Sequence, residues 1–188
     1  MRSGPAVAER ARSSPVRAYV GLGSNLGDRH ATLDAAVRAL GELASPASTL
    51  RCSRRYDSEA LQVPERPDER QPDYLNAAVV LDTLLDPHAL LDALQAIERA
   101  AGRTRIDERR WGARTLDLDL LLYGERCLDD ARLRVPHPGI PRRAFVLQPL
   151  HDLDARLTVP GQGPIEELLA RLPLAMRARP TTSGATCA

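Results

Sequence analysis

The stretch Arg109-Arg110-Trp111-Gly112-Ala113-Arg114-Thr115-Leu116-Asp117-Leu118-Asp119-Leu120-Leu121-Leu122-Tyr123 decides how the chain is read. Its second half alternates polar and apolar residues and then turns wholly apolar, the pattern of a β-strand. Side chains two apart in a strand share a face, so Asp117 and Asp119 point the same way, with Cα atoms roughly 6.6 Å apart. Leu116, Leu118, Leu120 and Leu122 are expected on the other face, in a core. Alternation alone predicts one wet face and needs no function to explain it. The density of charge argues for more. Arg99, Arg103, Arg105, Arg109, Arg110 and Arg114 crowd into residues 99–114 of a chain whose net charge is only +1. Carboxylates that suit a divalent cation, beside arginines that suit phosphate, are what chemistry on a nucleotide polyphosphate requires.

Outward from that strand the pattern alternates between elements. Residues 17–22 read as a short strand, and Gly23-Ser24-Asn25-Leu26-Gly27-Asp28 as a turn and helix start. The spacing GxGxxxG fits a tight turn with an N-cap better than a phosphate cradle. Leu33, Ala36, Val37, Leu40 and Leu43 recur at helical spacing and predict a helix over 28–43. A strand near 48–57 precedes a Pro- and charge-rich loop, 57–73, long enough to suggest a function. Tyr74, Asn76, Ala78 and Val80 share one face of the next strand. Asp86-Pro87 opens a second helix that Gly102 closes. Strand, helix, strand, strand, helix, strand is the α+β, ferredoxin-like βαββαβ order, with a mostly antiparallel sheet and helices on one face. C-terminal additions follow: a strand near 132–135, a Pro-rich turn, a short helix from about 142, a strand near 156–159 and an amphipathic helix after Pro164. Residues 1–15 and 176–188 read as disordered tails around a single domain over 16–175.

Composition narrows the function classes. All 26 basic residues are Arg, so a catalytic lysine and a lysine-bearing P-loop are both excluded. Cys52, Cys127 and Cys187 are scattered and read as reduced thiols of a cytoplasmic protein. Balanced charge argues against duplex nucleic acid, and no apolar run reaches membrane-spanning length. The single Phe and single Trp stand out in a core that must be built from Leu, Val and Ala.

Six segments in order resemble the 6-hydroxymethyl-7,8-dihydropterin pyrophosphokinase family. They are Gly21-Leu22-Gly23-Ser24-Asn25-Leu26, Gln71-Pro72-Asp73-Tyr74-Leu75-Asn76, Gly102-Arg103-Thr104-Arg105, the stretch from Arg110 to Leu121, Val135-Pro136-His137-Pro138, and Arg143-Ala144-Phe145-Val146-Leu147. The resemblance covers about residues 17–172. It implies an enzyme that moves the two terminal phosphates of ATP as a unit onto the pterin hydroxymethyl oxygen. It also implies that Asp117 and Asp119 hold two Mg²⁺ ions, and that Arg103 and Arg114 stabilise phosphate charge. Gln95, Glu98, Arg105, Trp111, Leu120, Arg132, His137 and Arg143 would complete the ATP side. Tyr74 and Phe145 would sandwich the pterin, Asn76 would bond its edge, and Ser58 and Leu61 would add contacts. ATP and the pterin are the expected partners, with no nucleic acid, no membrane and a monomeric state. Loops 57–72 and 102–113 are expected to act as lids.

The chain departs from the pattern in places. One extra residue lies between Arg105 and Trp111, and Glu59 stands where some members have Pro. Gly139 stands where Arg is common, and Arg142 where Glu is frequent. Two other functions fit the residues alone. One is a different metal-dependent nucleotidyl enzyme using the Asp pair. The other is an RNA-binding module using the Arg-rich loop, which lacks the stacked aromatics such a sheet needs.

Overall fold

A computed structural model describes residues 14–60, 71–102, 113–173 and 178–181. The elements in order are β1 (Val16–Ser24), α1 (Arg29–Gly41), β2 (Arg51–Cys52), β3 (Tyr56–Ser58), β4 (Tyr74–Thr83), α2 (Pro87–Ala100) and β5 (Asp117–Tyr123). Then come β6 (Leu128–Asp129), β7 (Arg134–Val135), a 3₁₀ turn (Ile140–Arg142), α3 (Ala144–Leu153), β8 (Thr158–Val159), β9 (Gly163–Pro164), α4 (Ile165–Ala170) and β10 (Arg179–Pro180).

The main sheet runs β10-β3-β4-β1-β5, with β2 also on β4, and every pair is antiparallel. The six core elements therefore keep the ferredoxin-like strand order. β1 and β4 pair over their whole facing length, from Val16 opposite Thr83 to Ser24 opposite Leu75. Helix starts are fixed by side chains: Asp28 accepts the Ala31 N–H, and Asp86 accepts those of His88 and Ala89 ahead of Pro87.

Side-chain alternation assigns each strand two faces. Ala18, Val20 and Leu22 of β1, with Leu75, Ala77, Val79 and Leu81 of β4, pack under α1 and α2. The opposite face is not left bare, as the expectation of helices on one face would have it, but is covered in part. Tyr19, Ala78 and Val80 pack there against Leu147 and Leu150 of α3 and Leu168 of α4. The sheet is thus the middle of three layers. At about 1.5–3 kcal/mol for each fully buried large apolar side chain, both interfaces contribute substantially.

Two irregularities correct the sequence reading. The expected strand over 48–57 is split into β2 and β3. Between Cys52 opposite Val79 and Tyr56 opposite Asn76 it spends one residue more than β4 does. Ser53 occupies the gap, and its Oγ accepts the Ala78 N–H at 2.9 Å. The second irregularity is in β5. Tyr19 pairs with Leu122 but Val20 pairs with Leu120, so Leu121 is extra. Leu116, Leu118 and Leu120 lie in the α1/α2 core as expected, whereas Leu122 falls on the α3 face and Tyr123 takes the α1/α2 side. A one-residue bulge flips every later side chain.

The C-terminal boundary also differs from expectation. Residues 178–181, placed in a tail on sequence grounds, lie against the domain, with β10 at the sheet edge beside β3. Gln148 on α3 holds this segment through both amide atoms. Its Nε2 donates to the Ala178 carbonyl at 3.2 Å, and its Oε1 accepts the Ala178 N–H at 2.8 Å.

Candidate active site

The helices of the second layer cover only part of their face. Beyond Tyr19, Ala78 and Val80, the same face presents Gly21 and Gly23 from β1, Tyr74 and Asn76 from β4, and Asp117 and Asp119 from β5. Apolar helix packing gives way there to a cavity of about 710 Å³. The glycines form part of its floor, and Gly23 lies inside the strand rather than at the start of the turn expected over 23–28. A Cβ on Gly23 would stand 3.5 Å from Tyr74 Cδ1 and 3.6 Å from Asn76 Oδ1. Bare backbone keeps that space open.

One end of the cavity is charged. Arg114 donates from Nη1 to Asp117 Oδ1 at 2.8 Å, and its own backbone is fixed by Asn25. Arg114 Nε is buried without a partner among the described residues. Burial and the neighbouring Asp117 push the Asp119 carboxyl up to about 7, although 39% of its side chain is open to the cavity. Arg143 and Arg114 oppose that shift. A divalent cation between such carboxylates would remove the conflict. The donor set fits a hard ion such as Mg²⁺, which takes one or two carboxylates and leaves other positions to water and substrate phosphate. No cluster of three or more His, Cys, Asp or Glu suited to a metal occurs among the described residues.

His137 closes this end. It follows the cis Val135–Pro136 bond, and its Nε2 lies 3.9 Å from Asp119 Oδ2. The Gly139 N–H donates to Nδ1 at 3.1 Å, which leaves the proton on Nε2, facing the carboxylates. Burial and the Arg143 charge hold the ring down at about 4, so it is neutral near pH 7. Arg143 lies over the Phe145 ring at 5.8 Å, where α3 begins without a side-chain cap.

The other end is aromatic and amide. Tyr74 and Phe145 both line it. Asn76 is 5% exposed, and its Nδ2 donates to Ser58 Oγ at 3.0 Å and to the Tyr56 carbonyl at 3.2 Å. Tyr56 in turn donates to Asp152 of α3 at 2.8 Å, so β3 and α3, the two sides of this end, are tied together.

Nine of the sequence-selected residues thus meet in one cavity: Ser58, Tyr74, Asn76, Arg114, Asp117, Asp119, His137, Arg143 and Phe145. Gln95, Glu98, Leu120 and Arg132 do not line it. Leu120 belongs to the α1/α2 core, and Glu98, 2% exposed, accepts the Leu118 N–H at 2.8 Å. Arg132 pairs with Asp92 on the α2 surface. Leu61, Arg103, Arg105 and Trp111, with most of both expected lids, lie outside the described residues. Sequence reasoning passed over Leu121, Glu59 and Arg142 as site residues, although all three line the cavity. The bulge hid Leu121, and Glu59 and Arg142 registered only as departures from a pattern.

A sequence profile for 7,8-dihydro-6-hydroxymethylpterin-pyrophosphokinase matches residues 19–155, and thus every described cavity residue. The chain belongs to this pyrophosphokinase family. The 2-amino-4-hydroxy-6-hydroxymethyldihydropteridine pyrophosphokinase of Pseudomonas aeruginosa is 47% identical over 158 residues, covering 84% of this chain and 92% of that protein. The protein of the same name from Haemophilus influenzae is 42% identical, covering 82% and 91%. Among solved structures, the wild-type Plasmodium falciparum HPPK-DHPS with pteroate superposes with a TM-score of 0.62 at 14% identity. That match covers 85% of this chain but only 43% of the Plasmodium chain, and it shows the fold. In this chain the cavity lies on the part of the second sheet face that the helices leave open.

Proposed function

We propose that this protein transfers the terminal diphosphate of Mg-ATP to the hydroxymethyl oxygen of 6-hydroxymethyl-7,8-dihydropterin, giving AMP and the pterin diphosphate for tetrahydrofolate synthesis. The observation that carries the reading is one cavity with a carboxylate and arginine end and an aromatic and amide end. A polyphosphate needs the first and a flat heterocycle the second.

Asp117 and Asp119 would hold Mg²⁺, two ions in the full reading. When bound, Mg²⁺ supplies charge neutralisation on the phosphates and alignment of the attacking hydroxyl. The chain's own groups do the rest. Arg114 and Arg143, which line the charged end, bind phosphate oxygens. Neutral His137 donates from Nε2 without adding charge. Tyr74 and Phe145 stack on the pterin faces. Asn76, steadied by Ser58, offers a donor and an acceptor to the pterin edge. Arg103, Arg105, Trp111 and Leu61 keep the roles that the resemblance gives them. Glu98 acts indirectly, by fixing the strand that carries both aspartates. Gln95, Arg132 and the Leu120 backbone complete the nucleotide side. The reading includes a cytoplasmic monomer, with Cys52 and Cys127 as free thiols.

The test is turnover. Pterin consumption should require both ATP and Mg²⁺, stop with a chelator and return when Mg²⁺ is restored. Consumption that survives chelation would contradict the proposal.

A further inference from the structure

Three guanidinium groups line the cavity: Arg114, Arg142 and Arg143. Two are engaged within the protein, Arg114 with Asp117 and Arg143 over the Phe145 ring. Arg142 differs. It ends the 3₁₀ turn at the cavity wall and is exposed, and its guanidinium makes no hydrogen bond or ion pair among the described residues. Three carboxylates line the same cavity, Glu59, Asp117 and Asp119, yet Arg142 pairs with none of them.

Gly139 helps to explain the arrangement. A Cβ there would stand 2.9 Å from His137 Cε1 and 3.0 Å from Arg143 Cζ. The bare position lets the ring and the Arg143 guanidinium fold back over the turn, which leaves the adjoining wall to Arg142. A guanidinium has five donors and no acceptor. It suits phosphate oxygens and adds little to a pterin edge that Asn76 can already meet with donor and acceptor.

We propose that Arg142 is a further phosphate-binding residue, which grips the polyphosphate of the nucleoside triphosphate beside Arg114 and Arg143. The assignment rests on the diphosphate-transfer reading and deepens it. The Arg142 guanidinium is committed to no ion pair or ring contact among the described residues, so phosphate contact costs it no internal pair.

The test is calorimetric titration of the full chain with a non-hydrolysable ATP analogue in Mg²⁺, for wild type, Arg142→Gln and Arg142→Lys. Pterin affinity and thermal midpoint are measured on the same samples. Arg142→Gln should weaken nucleotide binding about tenfold, the scale of one charge-assisted hydrogen bond. Arg142→Lys should recover most of that loss, and pterin affinity and thermal midpoint should not move. Unchanged nucleotide affinity in Arg142→Gln would overturn the assignment and leave the proposed function standing. So would a loss that falls equally on the pterin. A wild-type protein that binds no nucleotide would overturn both.

Discussion

Asp119 is the residue where the electrostatics of the site concentrate. Its carboxyl sits beside Asp117 with 39% of its side chain open, so substitution should disturb a site and not a core. Asp119→Asn should lower kcat by roughly a thousandfold without lowering the thermal midpoint. Collapse of the fold would instead mark the Asp pair as structural. A pH effect follows with a definite sign. A carboxyl raised from 3.8 to about 7 favours folding fully below pH 3.8, and that contribution is lost as pH rises through about 7. In chelator, the stability of wild type relative to Asp119→Asn should therefore fall between pH 4 and 7, as read by denaturant unfolding. His137 has the opposite sign. Held down at about 4, it contributes stability that is present above 6.5 and is lost as pH falls toward 4. An NMR titration of the metal-free protein should find its ring neutral at pH 6, with the proton on Nε2; a midpoint near 6.5 would contradict the burial argument.

At the scale of elements, the site depends on where β1 lacks side chains. Gly23→Val suits a strand but puts branched carbons against Tyr74 and Asn76. It should abolish pterin binding, read by fluorescence quenching, with little change in stability. Undiminished pterin affinity would show that the heterocycle lies elsewhere. Much of this level was legible in the sequence. Period-two alternation placed Tyr74 with Asn76 and Asp117 with Asp119, because both pairs lie in uninterrupted stretches of strand. It misplaced Leu122 because a bulge leaves no mark in a run of leucines. It ended the first strand at Leu22 and read Gly23 as the start of a turn, because glycine that makes room and glycine that bends the chain look alike. Gln95, Glu98, Leu120 and Arg132 came from resemblance alone, and spacing could not reveal that Glu98 is spent on the Leu118 N–H.

For the whole molecule, three layers leave half of one sheet face uncovered, and chemistry occupies that half. The ferredoxin-like order was readable from element succession, whereas the second helical layer was not. Distinguishing a two-faced sheet requires knowing that Tyr19, Ala78 and Val80 meet α3 and α4 instead of water. The C-terminal strand was likewise invisible, since a two-residue strand held by Gln148 has no periodic signature. Ending the chain at residue 177 should cost roughly 2 kcal/mol, from the two Gln148 bonds to Ala178. It should also speed hydrogen exchange across 56–58; unchanged stability and exchange would show that β10 adds nothing to the fold. Product identity shows most directly which phosphorus is attacked. After mixing with Mg-ATP and 6-hydroxymethyl-7,8-dihydropterin, AMP should appear in step with pterin diphosphate. ADP with a pterin monophosphate would contradict diphosphate transfer by this cavity.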